Sequence, residues 1–85
     1  MPYCVYIIQS ELDGSYYTGS TQDLDARLSR HNQGHSKYTK TKRPWKLVYH
    51  EEFIDRPSAI RRKNAIKRQK STVSIEALIE RSRRS

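Results

Sequence analysis

Tyr6 and Tyr17 stand on either side of an Asp13-Gly14 pair, and Arg27 and His31 follow at a spacing of four. Two phenols, a guanidinium and an imidazole are groups suited to phosphate-ester chemistry. A phenol can take a proton from water if nearby cations lower its pKa from about 10. Arg27 could supply that field or neutralise a phosphate, and His31 could carry a proton or bind a phosphate oxygen. The same residues also have structural uses. Tyrosines pack well in strands, and Arg27 could pair with Asp23 one turn earlier. The chain holds no CxxC, HExxH, GxSxG or Gly-rich phosphate loop. His31, His35 and His50 fall in different elements and make a poor zinc set even with Cys4.

These residues need elements to position them. Residues 3–9, YCVYIIQ, are apolar on both alternating faces and read as a central strand. Asp13-Gly14 signals a hairpin, with a return strand over 15–20. A two-residue loop pairs Ser10 with Tyr17, Ile8 with Gly19 and Tyr6 with Thr21. Tyr6 and Tyr17 then share a face, with Gly19 leaving open space between them, whereas a three-residue loop would set the tyrosines on opposite faces. Ser20 or Thr21 is expected to cap a helix that runs to about Gln33 and ends at Gly34. Leu24 and Leu28 mark its buried stripe, and Arg27 and His31 share the face beside it. Residues 35–44 read as a basic loop with room for one helical turn. Residues 45–53 alternate as a third strand, with Trp45, Leu47, Tyr49 and Phe53 on one side. Pro57 suits the start of a helix reaching about Gln69, with Ala59, Ile60 and Ile66 inward and Lys63 along that stripe. A last helix is expected over Ser74–Ser82, followed by a frayed tail. Cys4 reads as a core residue.

Length allows one domain, 1–85, with its core over about 3–80 and a basic tail at 81–85. The expected class is α+β. No run approaches the roughly 20 apolar residues of a membrane span, the N-terminus does not read as a secretory signal, and a single cysteine suits a reducing compartment, so a cytoplasmic setting is expected. The net charge of +8, from 17 Lys and Arg against 9 Asp and Glu, points to a polyanionic partner, nucleic acid first and an acidic membrane surface or protein second. The partner expected is nucleic acid, with no membrane. Lys37, Lys40, Lys42 and Arg43, interleaved with Tyr38 and Thr39, could clamp a phosphate backbone. Arg61, Arg62, Lys63, Lys67, Arg68 and Lys70 spread around a helix, so only some of them, with Arg62, Lys63 and Lys67 foremost, can meet one strand.

Cys4-Val5-Tyr6, Tyr17-Thr18-Gly19, then Arg27 and His31, resemble the GIY-YIG nuclease family. "GSTQDLDARLSRHNQG", "SKYTKTKRPWKLVYHEEF" and "AIRRKNAIKRQKS" extend the likeness to small stand-alone bacterial members, over about residues 3 to 80. The resemblance implies a three-stranded sheet, formed by the hairpin and the third strand and flanked by helices, and cleavage of DNA phosphodiesters, with DNA ahead of RNA as partner. It implies that Tyr6 and Tyr17 line the active face with one of them activating water, that Arg27 contacts the scissile phosphate, and that His31 assists. It also implies a Mg²⁺ or Mn²⁺ ion held by a glutamate on the later helix. At that position this chain has Lys63. An ammonium repels the ion but can bind a phosphate oxygen directly, and it supplies no metal-bound hydroxide. The alternative is a catalytically inert DNA- or RNA-binding module on the same fold.

Overall fold

β1 (Tyr3–Ser10) carries Val5, Ile7 and Ile8, each fully buried, and Tyr6 at 2% exposure. A strand apolar on both faces must be covered on both, and it takes the centre of an antiparallel sheet of order β2-β1-β3. Its neighbours are β2 (Tyr16–Thr21) and β3 (Trp45–Phe53). The helices are α1 (Leu24–Gln33), α2 (Arg56–Gln69) and α3 (Thr72–Arg84), with a short 3₁₀ turn at Lys40–Lys42. The computed structural model describes residues 2–35, 37–69 and 72–84. Lys70 lies outside them.

The hairpin keeps the expected parity in a different register. Tyr6 pairs with Gly19, Ile8 with Tyr17 and Cys4 with Thr21. The loop is four residues long, closed by Ser10 N–H to the Ser15 carbonyl at 2.8 Å and Gly14 N–H to the Ser10 carbonyl at 3.0 Å. Gly14 sits at φ 80°, where a side chain would be strained. Ser10 explains the longer loop: its buried hydroxyl accepts from the Leu12 and Asp13 N–H groups and donates to the Lys42 carbonyl at 2.6 Å. Lengthening the loop by two residues slides the strands without flipping faces, so Tyr6 and Tyr17 remain on one side.

Each sheet face has its own core. Tyr6, Ile8 and Trp45 pack with Tyr17, Leu24 and Leu28 under α1. Val5, Ile7, Ala59 and Ile66 pack with Tyr49, Phe53, Ile75 and Leu78 under α2 and α3. β3 contributes to both faces because it is bulged. Ile7 pairs with Tyr49 and Ile8 with Leu47, leaving Val48 as an extra residue. The bulge sends Trp45 to one core and Tyr49 and Phe53 to the other, so the single apolar side expected from alternation is corrected here.

Other boundaries also differ from expectation. β2 runs through Thr21, and the α1 cap is Asp23, whose carboxylate accepts from the Ala26 N–H at 3.1 Å. Gly34 closes α1 at φ 84°, as expected. Asp55 accepts from the Ser58 N–H at 2.8 Å and starts α2, with Pro57 in its first turn. α3 begins at Thr72 and continues through the basic tail to Arg84. Cys4 is only half-buried at the sheet margin, and burial together with Glu52 pushes its thiol pKa up.

Gly19 is where the Tyr6 ring packs against the β2 backbone. A Cβ built there would lie 2.5 Å from the Tyr6 hydroxyl oxygen and 2.7 Å from its ring carbon Cζ. Tyr6 is fully enclosed, so the ring has nowhere to retreat. Gly19→Ala should therefore destabilise the protein by about 1–3 kcal/mol from overpacking, more than the ~0.4–1 kcal/mol that alanine gains through the unfolded chain. The urea midpoint is the readout, and an unchanged or raised midpoint would contradict this packing.

Candidate active site on the α1 face

Three of the four candidate catalytic residues form one cluster. The Tyr6 hydroxyl and His31 Nε2 share a hydrogen bond of 3.0 Å, and His31 Nδ1 meets Thr39 Oγ1 at 2.8 Å. His31 is 3% exposed and Thr39 fully buried. Both ring nitrogens thus have hydroxyl partners, each able to donate or accept. Tyr17 lies edge-on to the imidazole at 5.1 Å between ring centroids, and 6.4 Å from Tyr6. Its ring is half-buried, the more accessible of the two phenols.

Local sequence explains the convergence. His31 lies in the last turn of α1, and Tyr6 projects from β1 onto the same face. The connection after α1 returns beneath them: Trp45 Nε1–H donates to the Thr39 carbonyl at 2.8 Å, and Trp45 N–H donates to Asn32 Oδ1 at 2.6 Å. Asn32 Nδ2 in turn donates to the Trp45 carbonyl at 3.1 Å. Thr39, Trp45 and Asn32 support the cluster, a role that sequence reasoning did not assign to them. Their roles depend on contacts across the chain, which no local period reveals.

Burial also sets the charge states of Tyr6 and His31. Burial pushes the Tyr6 pKa well above its ordinary value. Tyr17 adds to that rise and Arg27 opposes it. Tyr6 therefore holds its proton and serves to position His31. His31 is pushed below the ordinary imidazole value, first by burial and then by the Arg27 charge, which favours the neutral ring.

Arg27 stands at the junction of two depressions. One, of about 250 Å³, is lined by Arg27, Arg30, His31 and His35. The other, of about 370 Å³, runs from Ser20–Asp23 to α2 and is lined by Arg27, Arg56, Ile60 and Lys63. Arg56 was not anticipated; its place just before Pro57, where α2 begins, was the available signal. Lys63 and Lys67, one turn apart on α2, both reach the β2 edge, where Lys67 Nζ lies 5.5 Å from the Tyr17 ring centroid. Arg62 turns the other way. It pairs with Glu51 at 3.0 Å beside β3, and Tyr49 also donates to Glu51. Burial disfavours the Arg62 charge, but Glu51 and Tyr49 outweigh it and raise its pKa. Lys42 reaches Ser15 Oγ at 3.2 Å and Asp13 at 3.7 Å, and lies over the Tyr38 ring. The Arg43 guanidinium lies over Gly34, while Lys37, Tyr38 and Lys40 are exposed.

Residues 2–76 match the family described as the GIY-YIG catalytic domain. The chain belongs to the GIY-YIG family. It is 48% identical over 64 residues to a UPF0213 protein of Staphylococcus haemolyticus, covering 74% of this chain and 77% of that one. A UPF0213 protein of Staphylococcus aureus is 45% identical over the same length and coverage. The solution NMR structure of a UPF0213 protein from Bacillus halodurans superposes with a TM-score of 0.60 at 36% identity, covering 94% of this chain and 84% of that one. The fold is therefore that of a small bacterial GIY-YIG protein, and its three-stranded sheet with flanking helices is a nuclease-like scaffold. No helix among the described residues is long and apolar enough to cross a membrane.

The resemblance to GIY-YIG nucleases implies a divalent ion, and the residues present do not fit one. The depression that holds Lys63 is lined by three cations, Arg27, Arg56 and Lys63, and by one carboxylate, Asp23, which is already capping α1. Among the described residues no group of three His, Cys, Asp or Glu side chains could hold a metal ion. Glu51 on β3 is engaged with Arg62 and Tyr49.

The depressed His31 pKa predicts a pH effect with a definite sign. Between the folded value and the unfolded value near 6.5, the unfolded chain binds more protons at this site. Stability at His31 is full above about pH 6.5 and falls as pH drops toward the folded value. Urea unfolding at pH 7.5 and 5.5 should show this loss in the wild type and a smaller one in His31→Gln. An equal loss in both proteins would place the titration elsewhere.

Proposed function

We propose that this GIY-YIG domain binds nucleic acid through the seam between β2 and α2, with DNA the preferred partner. Tyr17 and Arg27 stand where phosphodiester hydrolysis would occur. The observation that carries the reading is the set of three cations, Arg27, Arg56 and Lys63, lining one depression beside the Tyr17–Tyr6–His31 cluster. Such a site attracts a phosphate through charge alone. Arg27 faces the phosphate and offsets charge that develops on it. Tyr17 is the phenol available to a water, and His31, neutral and held by Tyr6 and Thr39, buttresses it. Lys67 and the cations of the connection, Lys37, Lys40, Lys42 and Arg43, extend the positive surface along the strand of nucleic acid.

Lys63 sets the level of activity. On this reading Lys63 takes the position of the family's metal-binding glutamate, and an ammonium about 4 Å from a divalent cation repels it even when screened. The wild type is therefore a binding protein with weak or absent metal-dependent cleavage. The inert-module reading is the limit of this, and the same cation set favours it.

Two measurements test the proposal. Duplex and single-stranded DNA should bind in EDTA at low salt. If about four phosphates are neutralised, affinity should fall more than about a hundredfold between 50 and 200 mM salt. Lys63→Glu should weaken that binding slightly and raise cleavage in Mg²⁺ or Mn²⁺, and adding Tyr17→Phe should remove the gain. Absence of binding at low salt would end the nucleic-acid reading. Vigorous wild-type cleavage unaffected by Lys63→Glu would end the role given to Lys63, and inactivity of all three proteins would leave the inert module.

A further inference from the structure

Along the same seam, sharing Tyr17 and Lys67 with the site above, lies a further depression of about 350 Å³ whose interior the phosphate reading leaves unassigned. Its walls include Tyr16, Tyr17, Tyr38, Ile66, Lys67 and Ile75. Tyr17 and Tyr38 stand 5.9 Å apart between ring centroids, tilted by 35°. Tyr38 is 56% exposed, so burial does not account for its position. Each ring is accompanied by an ammonium group. Lys67 Nζ lies 5.5 Å from the Tyr17 centroid and Lys42 Nζ 5.3 Å from that of Tyr38. Lys42 is itself tethered to Ser15 and Asp13, so the hairpin loop holds the Tyr38 ring through it.

An apolar pocket with aromatic walls and a cationic rim has a definite chemical complement. It fits a flat heteroaromatic ring carried on an anionic backbone, which describes a nucleobase. Both faces of a base in a duplex are covered by its neighbours, so only an unpaired base can enter. The placement along the seam agrees. This pocket and the cationic depression lie in succession, one against Tyr16–Thr18 with Lys67 and the other against Ser20–Asp23 with Lys63. Tyr17 and Thr21 are four residues apart on β2, roughly 13 Å, room for a short run of nucleotides.

We propose that the Tyr17–Tyr38 pocket holds one unpaired nucleobase of a single-stranded or frayed strand whose neighbouring phosphates lie on Lys63 and Arg27. This rests on the nucleic-acid reading above and names the substrate class: nucleic acid with unpaired bases rather than uniform duplex. Stacking on the two rings supplies sequence-tolerant affinity, and the lysines hold the flanking backbone.

The test uses fluorescence anisotropy in EDTA at low salt with three labelled DNAs: a single strand, the same strand with abasic sites throughout, and a blunt duplex. The wild type should bind the single strand at least about fivefold more tightly than the abasic strand. Tyr38→Ala should lose about fivefold to a hundredfold on the single strand, within the range of one lost base stack, and less than twofold on the duplex. Tyr38→Phe should retain most of the single-strand affinity, since the ring and not the hydroxyl does the stacking. An RNA strand of the same sequence shows which sugar the pocket takes, since tighter binding than to the abasic strand supports the pocket for either. Equal affinity for all three DNAs would overturn the base pocket while leaving backbone binding intact. Failure of every strand to bind would overturn both.

Discussion

The hydrogen bond between Tyr6 and His31 is the constraint on which the rest of the site depends. It joins the central strand to the end of α1, and the second nitrogen of His31 carries the link on to Thr39. The Thr39 carbonyl receives the Trp45 indole N–H, which seats the start of β3. Four segments separated in the chain are thus tied through one buried imidazole. Each polar group in that run is enclosed, and leaving one without its partner costs about 1–3 kcal/mol. The arrangement needs Gly19 beneath the Tyr6 ring, because any larger residue occupies the space of the phenol. Tyr17 then rests against a surface whose parts hold one another in place.

Chemistry divides along α2 in the same physical terms. Its inward stripe of Ala59 and Ile66 fixes the rotation of the helix against Val5 and Ile7. That rotation turns Lys63 and Lys67 toward the β2 edge and Arg62 toward β3. Arg62 finds Glu51 there and is neutralised. Lys63 finds Arg27 and Arg56. The outcome is a strongly positive seam beside the aromatic cluster and a locally compensated edge on the other side of the sheet. A basic composition alone does not say which cations act together; the helix rotation does.

Much of this was legible in the residues. An apolar strand with no polar face belongs at a sheet centre, and the shared face of Tyr6 and Tyr17 follows from an even loop length. That face survives the two-residue change of register, because only an odd slip inverts it. The turn signal at Asp13-Gly14 was read correctly as a hairpin, but its length was set by Ser10, which binds the loop and the Lys42 carbonyl at once. The β3 bulge was illegible for a similar reason. Trp45, Leu47, Tyr49 and Phe53 keep one parity in sequence, with Val48 and Glu51 the departures from alternation, and the strand shifts at Val48 as it fills two cores. The α1 cap moved to Asp23 because β2 continues through Thr21. The burial of His31 and Tyr6, and the choice between free and paired cations, came from contacts across the chain.

The central claim is that nucleic acid lies on the β2–α2 seam, held by fixed cations without a divalent ion. Chemical-shift mapping of the ¹⁵N-labelled protein, titrated with a short single-stranded oligonucleotide in EDTA, addresses it most directly. The account predicts the largest shifts at Tyr17–Thr21, Arg27, Tyr38, Lys63 and Lys67, with Glu51 and Arg62 nearly silent. Shifts centred on Glu51 and Arg62, or appearing only after Mg²⁺ is added, would contradict it.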